Sequence, residues 1–294
     1  MSKRLEILKT YKIYIDGKFP RTESGRYYQP QPNGKPLGNI CLSSRKDFRN
    51  AVVSARNAFE GWSSKSAFNR SQIIYRIAEI IEGRKDQFVN ELIAQGASKN
   101  SAEKEVESSI DRLVYFAGWS DKINQVFGSV NPVASSHFNF TSLEPMGVVS
   151  IISPEDSSLL GLISTLIPVI VSGNTCVIIA SENKPLCAVT LSEVLSTSDV
   201  PGGVVNILTG KRIELIDHVG SHMDVNAVYY AGSESEQLKN LQLLAVDNLK
   251  RIIKNKLGNW ESSDHENPYV IADFMESKTT WHPIEKISGS GSGY

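Results

Sequence analysis

Two adjacent carboxylates, Glu155 and Asp156, close the segment Glu144-Pro-Met-Gly-Val-Val-Ser-Ile-Ile-Ser-Pro-Glu-Asp-Ser-Ser158, and they are the first residues in this chain that could do chemistry. A carboxylate pair can divide acid and base roles when it is suitably placed. Neighbouring loop residues usually diverge, and no partner acid is identifiable. A solvated loop, or a helix N-terminal cap by Asp156 with Ser157, is the simpler reading. His218 and His222 stand four apart, a spacing that could chelate zinc on one helix face, but Gly220 lies between them and no metal is expected. Gly232-Ser233 precedes a helical stretch whose free backbone N–H groups could accept a pyrophosphate. Cys187 opens another helix, where a thiol pKa can fall. Cys176 lies in an apolar run, and both thiols read as inert core groups. Lys211-Arg212 could pair with phosphate but reads as a surface turn.

The elements that must position these groups form two rhythms. Residues 11–40 carry Asp-Gly and Asn-Gly between short β-prone pieces, which predicts hairpins. Residues 44–119 predict four amphipathic helices, near 44–59, 69–83, 85–95 and 102–119, with Ser44 and Asp47 resembling an N-terminal cap. Residues 125–144 read as an extended excursion. Strands at 148–152, 175–179, 204–208, 225–230 and 250–254 then alternate with helices at 159–171, 186–196, 213–219 and 234–247. Such alternation implies βαβ units and a parallel sheet covered on both faces. The expected class is α/β, a doubly wound Rossmann-like parallel sheet with an N-terminal hairpin and helical layer. Beyond about residue 255 two β-prone pieces, 269–271 and 279–281, precede a Gly/Ser-rich end at 288–294, which is expected to be flexible.

Bulk properties narrow the function classes. A net charge of −1 gives nothing to draw the chain to nucleic acid or an anionic membrane. The most apolar run, 159–171, is shorter than the roughly 20 residues a bilayer requires. No secretory signal is evident at the N-terminus. Three widely spaced cysteines, Cys41, Cys176 and Cys187, fit a reducing, cytoplasmic compartment better than a disulfide framework.

Several motifs occur in a consistent order. They are Glu144-Pro-Met-Gly-Val-Val-Ser-Ile-Ile-Ser-Pro154, Gly173-Asn-Thr-Cys-Val-Ile-Ile-Ala-Ser-Glu182, Pro201-Gly-Gly-Val-Val-Asn206, His222-Met-Asp224 with Tyr230-Ala-Gly-Ser233, and Asn248-Leu-Lys-Arg251. Over about residues 11–260 the chain resembles the NAD-dependent aldehyde dehydrogenases. Within that family it is similar to the shortened, non-catalytic C-terminal domain of family-16 aldehyde dehydrogenases, through Arg45-Lys-Asp-Phe-Arg-Asn-Ala51, Ser153-Pro-Glu-Asp-Ser-Ser-Leu159 and Lys278-Thr-Thr-Trp-His-Pro283.

The resemblance implies a truncated aldehyde dehydrogenase fold, with an aldehyde-dehydrogenase-like domain at 1–260, a β-prone tail at 261–287 and a flexible end at 288–294. It also implies degenerate positions. The family's oxyanion Asn falls on Asp156, which has no N–H to donate. Its general-base Glu falls on Asn255, and its cofactor Lys on Ile179. Ser181, Glu182, Gly232 and Ser233 remain as cofactor-binding candidates. The nucleophilic Cys lies beyond Asn255 in the family, where this sequence reads Ile287-Ser-Gly-Ser290. The expectation is a pseudoenzyme with a structural or partner-binding role, its partner a second copy or a catalytic aldehyde dehydrogenase chain. No cofactor is expected, although NAD stays open. The alternative is the NAD(P)-binding portion of an aldehyde dehydrogenase completed by another chain.

Overall fold

A computed structural model describes residues 7–284. The N-terminal signal reading rests partly on residues 1–6, and the flexible end at 288–294 also lies outside the described residues. β1 (Thr10–Tyr11), β2 (Tyr27–Tyr28) and β3 (Asn39–Cys41) form a small sheet in the order β1-β3-β2. The expected Asp-Gly hairpin is present. Asp16 and Gly17 both take left-handed φ, 57° and 71°, and Ile15 bridges Lys18 across the turn. A two-residue hairpin of this hand needs positive φ at both positions, which Asp and Gly tolerate.

The helical layer is α1 (Arg45–Ser63), α2 (Ala67–Gly83), α3 (Lys85–Ala94) and α4 (Lys99–Trp119). Ser44 and Asp47 form a reciprocal capping box on α1. Ser66 and Ser98 cap α2 and α4, so both helices begin before the first apolar-periodic residue that predicted them. Their inner faces, with Ile74, Ile77, Ile81, Val106, Leu113 and Phe116 all fully buried, form much of the larger core.

After α5 (Ile123–Phe127) come β4 (Ser129–Asn131) and β5 (His137–Pro145). The stretch at 125–144 is therefore a short helical turn and a β-ribbon, not one extended excursion. The βαβ series follows: β6 (Val148–Ile152), α6 (Leu160–Val171), β7 (Thr175–Ile179), α7 (Leu186–Ser196), β8 (Val205–Leu208), α8 (Arg212–Ser221), β9 (Ala227–Tyr230), α9 (Ser235–Leu244) and β10 (Arg251–Lys254). The five strands are parallel, in the order β10-β9-β6-β7-β8. Alternate residues feed two cores. Val149, Ile151, Cys176 and Ile178 face one, and Val148, Ile152, Val177 and Ile179 face the other against α1 and α8. Burial on both faces explains why these strands read as continuous apolar runs. All twelve residues of α6 are buried, so it is the central helix.

The tail closes the structure. Residues 269–271, expected as β, form the short helix α10 (Tyr269–Ala272). Its Ile271 and the following Phe274 are fully buried, and burial of this apolar face outweighs β-propensity. β11 (Met275–Pro283) then pairs antiparallel with β5 along its whole length, from Met275↔Pro145 to Pro283↔His137. Asn174 fastens this joint. Its Oδ1 accepts from Gly147 N at 2.8 Å, and its Nδ2 donates to Phe274 O at 2.7 Å.

Candidate functional site

The strand order reverses at β6, with β7 on one side and β9 on the other. In open parallel sheets the carboxyl ends beside such a switch point form the ligand crevice. The loops after β6, β7 and β9 and the chain after β10 meet there. They bring together Glu155, Asp156, Ser181, Glu182, Gly232, Ser233 and Asn255. Ile179 ends β7 with its side chain fully buried in the core, away from the crevice.

On the β7 side Glu155 fills the space. Its carboxylate accepts from Ser181 Oγ at 2.5 Å, Glu182 N at 2.9 Å and Asn183 N at 3.2 Å. The Arg212 guanidinium lies 2.7 Å from it and also donates to Ser153 O. Arg212 is 7% exposed, so the expected surface turn at Lys211-Arg212 is corrected: its arginine is buried. It opens α8 beside the carboxyl end of β8, and Glu155 supplies the counter-charge that makes this burial tolerable. Burial lowers the Arg212 pKa, and the neighbouring Glu155 opposes that. Tyr28 covers the network by donating to Glu182 O at 3.0 Å, and burial raises its hydroxyl pKa. The Ser181 hydroxyl and the N–H groups of the next turn therefore already have an internal anion.

On the β9 side a depression of about 260 Å³ is lined by Asp156, Gly232, Ser233, Asn255 and Trp260, with Glu155 at its edge. Asp156 Oδ1 accepts from Trp260 Nε1 at 3.0 Å and does not cap a helix. Ser157 Oγ instead accepts from Gly161 N at 2.8 Å. Glu105, reaching from α4, accepts from Leu159 N at 2.9 Å and Leu160 N at 3.2 Å, which satisfies the start of α6. Asn255 folds its amide onto its own turn, with Nδ2 to Leu257 O at 3.0 Å. Gly232 lies beside the Tyr230 ring, which would be 2.7 Å from an added Cβ, so a larger residue there would have to displace that ring. Ser233 Oγ donates to Glu234 at 3.2 Å. With Glu236 in the first turn of α9, carboxylates already complement the positive end of that helix.

Beneath the crevice Trp260 stacks on His265 with ring centroids 4.7 Å apart. Burial pushes the His265 pKa down to about 4, with Arg112 adding to the effect. Arg112 is 2% exposed and donates to Ser164 Oγ at 2.7 Å and Trp260 O at 3.3 Å. All three cysteines are free and buried. Burial raises the pKa of Cys176 and Cys187, which disfavours the thiolate that nucleophilic attack needs. Among the described residues no group of three or more His, Cys, Asp or Glu could hold a metal ion, and no helix is long and apolar enough to cross a membrane.

The crevice's donors on the β7 side are committed to Glu155, and Asp156, Glu234 and Glu236 place negative charge on its β9 side. Sequence reasoning missed Arg212, Glu105, Trp260 and Tyr28 as contributors. Only Arg212 left a signal, a cation two residues after Gly210 in the turn that follows β8.

The fold and this switch-point crevice define a doubly wound α/β protein of the dinucleotide-binding type. The sequence profile of the aldehyde dehydrogenase family matches residues 20–259, more than half of the chain. The chain belongs to the aldehyde dehydrogenase family. It is 30% identical over 267 residues to the D-glyceraldehyde dehydrogenase (NADP(+)) of Thermoplasma acidophilum, a match covering 87% of this chain and 53% of that one. It is 31% identical over 252 residues to the cytosolic 10-formyltetrahydrofolate dehydrogenase of Xenopus tropicalis, covering 82% of this chain and 28% of the relative. An NAD+ complex of an aldehyde dehydrogenase from Bacillus cereus superposes with a TM-score of 0.80 at 25% identity, over 84% of this chain and 50% of that one. The chain spans about half the length of the D-glyceraldehyde and Bacillus relatives.

Proposed function

We propose that this chain is a non-catalytic aldehyde-dehydrogenase-like domain with a structural or partner-binding role, similar to the C-terminal domain of family-16 aldehyde dehydrogenases. The observation that carries this reading is Glu155, planted on the Ser181–Asn183 turn with Arg212 behind it. Asp156 in the oxyanion position, Asn255 in the general-base position and Ile179 in the cofactor-lysine position support it. The domain corresponds to residues 1–260, with 261–287 as an appended tail.

On this reading no cofactor is bound. Titration with NAD, followed by thermal unfolding, is expected to leave the midpoint unchanged at millimolar cofactor. Aldehyde plus NAD is expected to produce no NADH. Aldehyde-dependent NADH formation would sink the reading. Saturable stabilisation without turnover would favour the second one, the NAD(P)-binding portion of an aldehyde dehydrogenase completed by another chain. At a hundredfold excess over Kd such binding adds about 2.7 kcal/mol. The half-length match to relatives that include an NAD+ complex keeps that reading in view.

For the partner we favour a second copy, joined through the outer edge of β11. That strand is the last of the order β11-β5-β4, and Trp281 on it is 57% exposed. Light scattering is expected to give a dimer or higher mass that Trp281→Glu lowers; a monomer in both cases would refute this surface. The free, buried thiols support a reducing, cytoplasmic location, which recovery of the chain in a secreted fraction would overturn.

A further inference from the structure

At the opposite edge of the sheet, where α8 has run back from β8 to the start of β9, lies a second depression. It measures about 270 Å³ and is lined by Arg45, Phe48, Arg49, His218, Ser221, His222 and Met223. The geometry points to a binding site here for a small phosphate-bearing anion, formed by Arg45 and Arg49 of α1 with His218 and His222 at the end of α8.

The spacing builds the cluster. Arg45 and Arg49 are one helical turn apart in the first turns of α1 and therefore share a face. His218 lies in the last turn of α8 and His222 just past its end, so the two histidines do not form a chelating pair on one helix. Phe48, fully buried, sets the spacing between the two elements, with its ring 5.8 Å from that of His222 in an edge contact. The Asp224 backbone N–H donates to His222 Nδ1 at 3.2 Å, which puts the proton of a neutral ring on Nε2 and keeps His222 a donor.

Two further features favour an anion. The arginine ion pairs among the described residues use Arg26, Arg76, Arg84, Arg112, Arg212 and Arg251, and leave Arg45 and Arg49 uncommitted. The carboxyl end of α8 would ordinarily repel an anion. Here Lys250, 6% exposed, sets its ammonium on Val219 O at 3.1 Å, Gly220 O at 2.7 Å and His222 O at 2.9 Å, which offsets that end. Asp224, exposed beside His222, is the acidic group that acts on that ring. Paired guanidinium donors match phosphate oxygens. Small-molecule pockets usually span about 300–1,000 Å³, so this depression suits a phosphate with a few carbons and not a dinucleotide.

Calorimetric titration of the whole chain with inorganic phosphate and with glycerol 3-phosphate, at constant ionic strength against chloride, tests the site. Both probes are expected to bind saturably, and Arg45→Glu/Arg49→Glu to weaken them about tenfold or more through lost charge-assisted hydrogen bonds. His222→Gln, which keeps an N–H donor, is expected to bind within a few-fold of the native chain. Tighter binding of the ester assigns an organic phosphate, and equal affinity assigns the free anion. No saturable binding beyond chloride, or binding unchanged in the double arginine variant, overturns the proposal.

Discussion

The two edges of the central sheet handle charge in opposite ways. At the carboxyl edge Arg212 and Glu155 are paired, hydrogen-bonded and mostly removed from water. At the amino edge Arg45 and Arg49 are exposed and have no ion-pair partner among the described residues. The carboxyl edge is where the fold would receive a ligand, yet its donors on the β7 side are satisfied from within. The amino edge has no such inheritance from the topology, but it keeps its donors free.

Three measurements sharpen or break this contrast, in order of expected size. Arg212→Ala leaves Glu155 without its counter-charge and Ser153 O without a donor. Breaking a largely buried pair from one side costs about 3 kcal/mol or more, read as a lower urea midpoint. A loss under 0.5 kcal/mol, the usual scale of a surface substitution, would mean that the crevice is not internally closed.

The second measurement uses the floor of the same edge. His265, 4% exposed, has its pKa depressed from 6.5 to about 4 in the fold. Between those values the unfolded chain binds the proton and the folded chain does not. Stability from this group is therefore full above pH 6.5 and falls as pH drops toward 4, by up to about 3 kcal/mol. A stability–pH profile of His265→Asn should be flatter in that window. Parallel profiles would refute the claim that the ring is held neutral.

The smallest effect belongs to the other edge. Arg45→Glu and Arg49→Glu are each expected to change stability by less than about 0.5 kcal/mol, because exposed and unpartnered groups contribute little. A loss above 1 kcal/mol would show that these arginines serve the fold.

The doubly wound order could be read from the sequence because period and burial act locally. The continuous apolar runs gave β6, β7 and α7 their observed limits, and Ser44-x-x-Asp47 announced the start of α1. What escaped reading depends on residues distant in sequence. Glu155 and Arg212 meet only after two crossovers, and Asp156 finds Trp260 only after the sheet is complete. Asp156, Asn255, Gly232 and Ser233 stand out through the family resemblance, and the structure sets them around one depression. That Glu155 would fill the other half was not legible, because a carboxylate on a loop looks the same in sequence whether it is solvated or buried against an arginine. The tail misled for a related reason: Tyr269-Val-Ile is β-prone by composition, and only its docking of Ile271 against the core makes it helical.

The pairing of β11 with β5 has a consequence for how the chain is made. β5 emerges from the ribosome long before its partner, since His137 must wait for Pro283 and Pro145 for Met275. At about 5–20 residues per second the delay is on the order of ten seconds. During that interval one edge of β5 is unpaired and Phe274 has not yet reached its place in the core. The nascent chain thus passes through a stage with its central helices and strands available but a ribbon edge open, the kind of surface that holding chaperones shield and that neighbouring nascent copies could join.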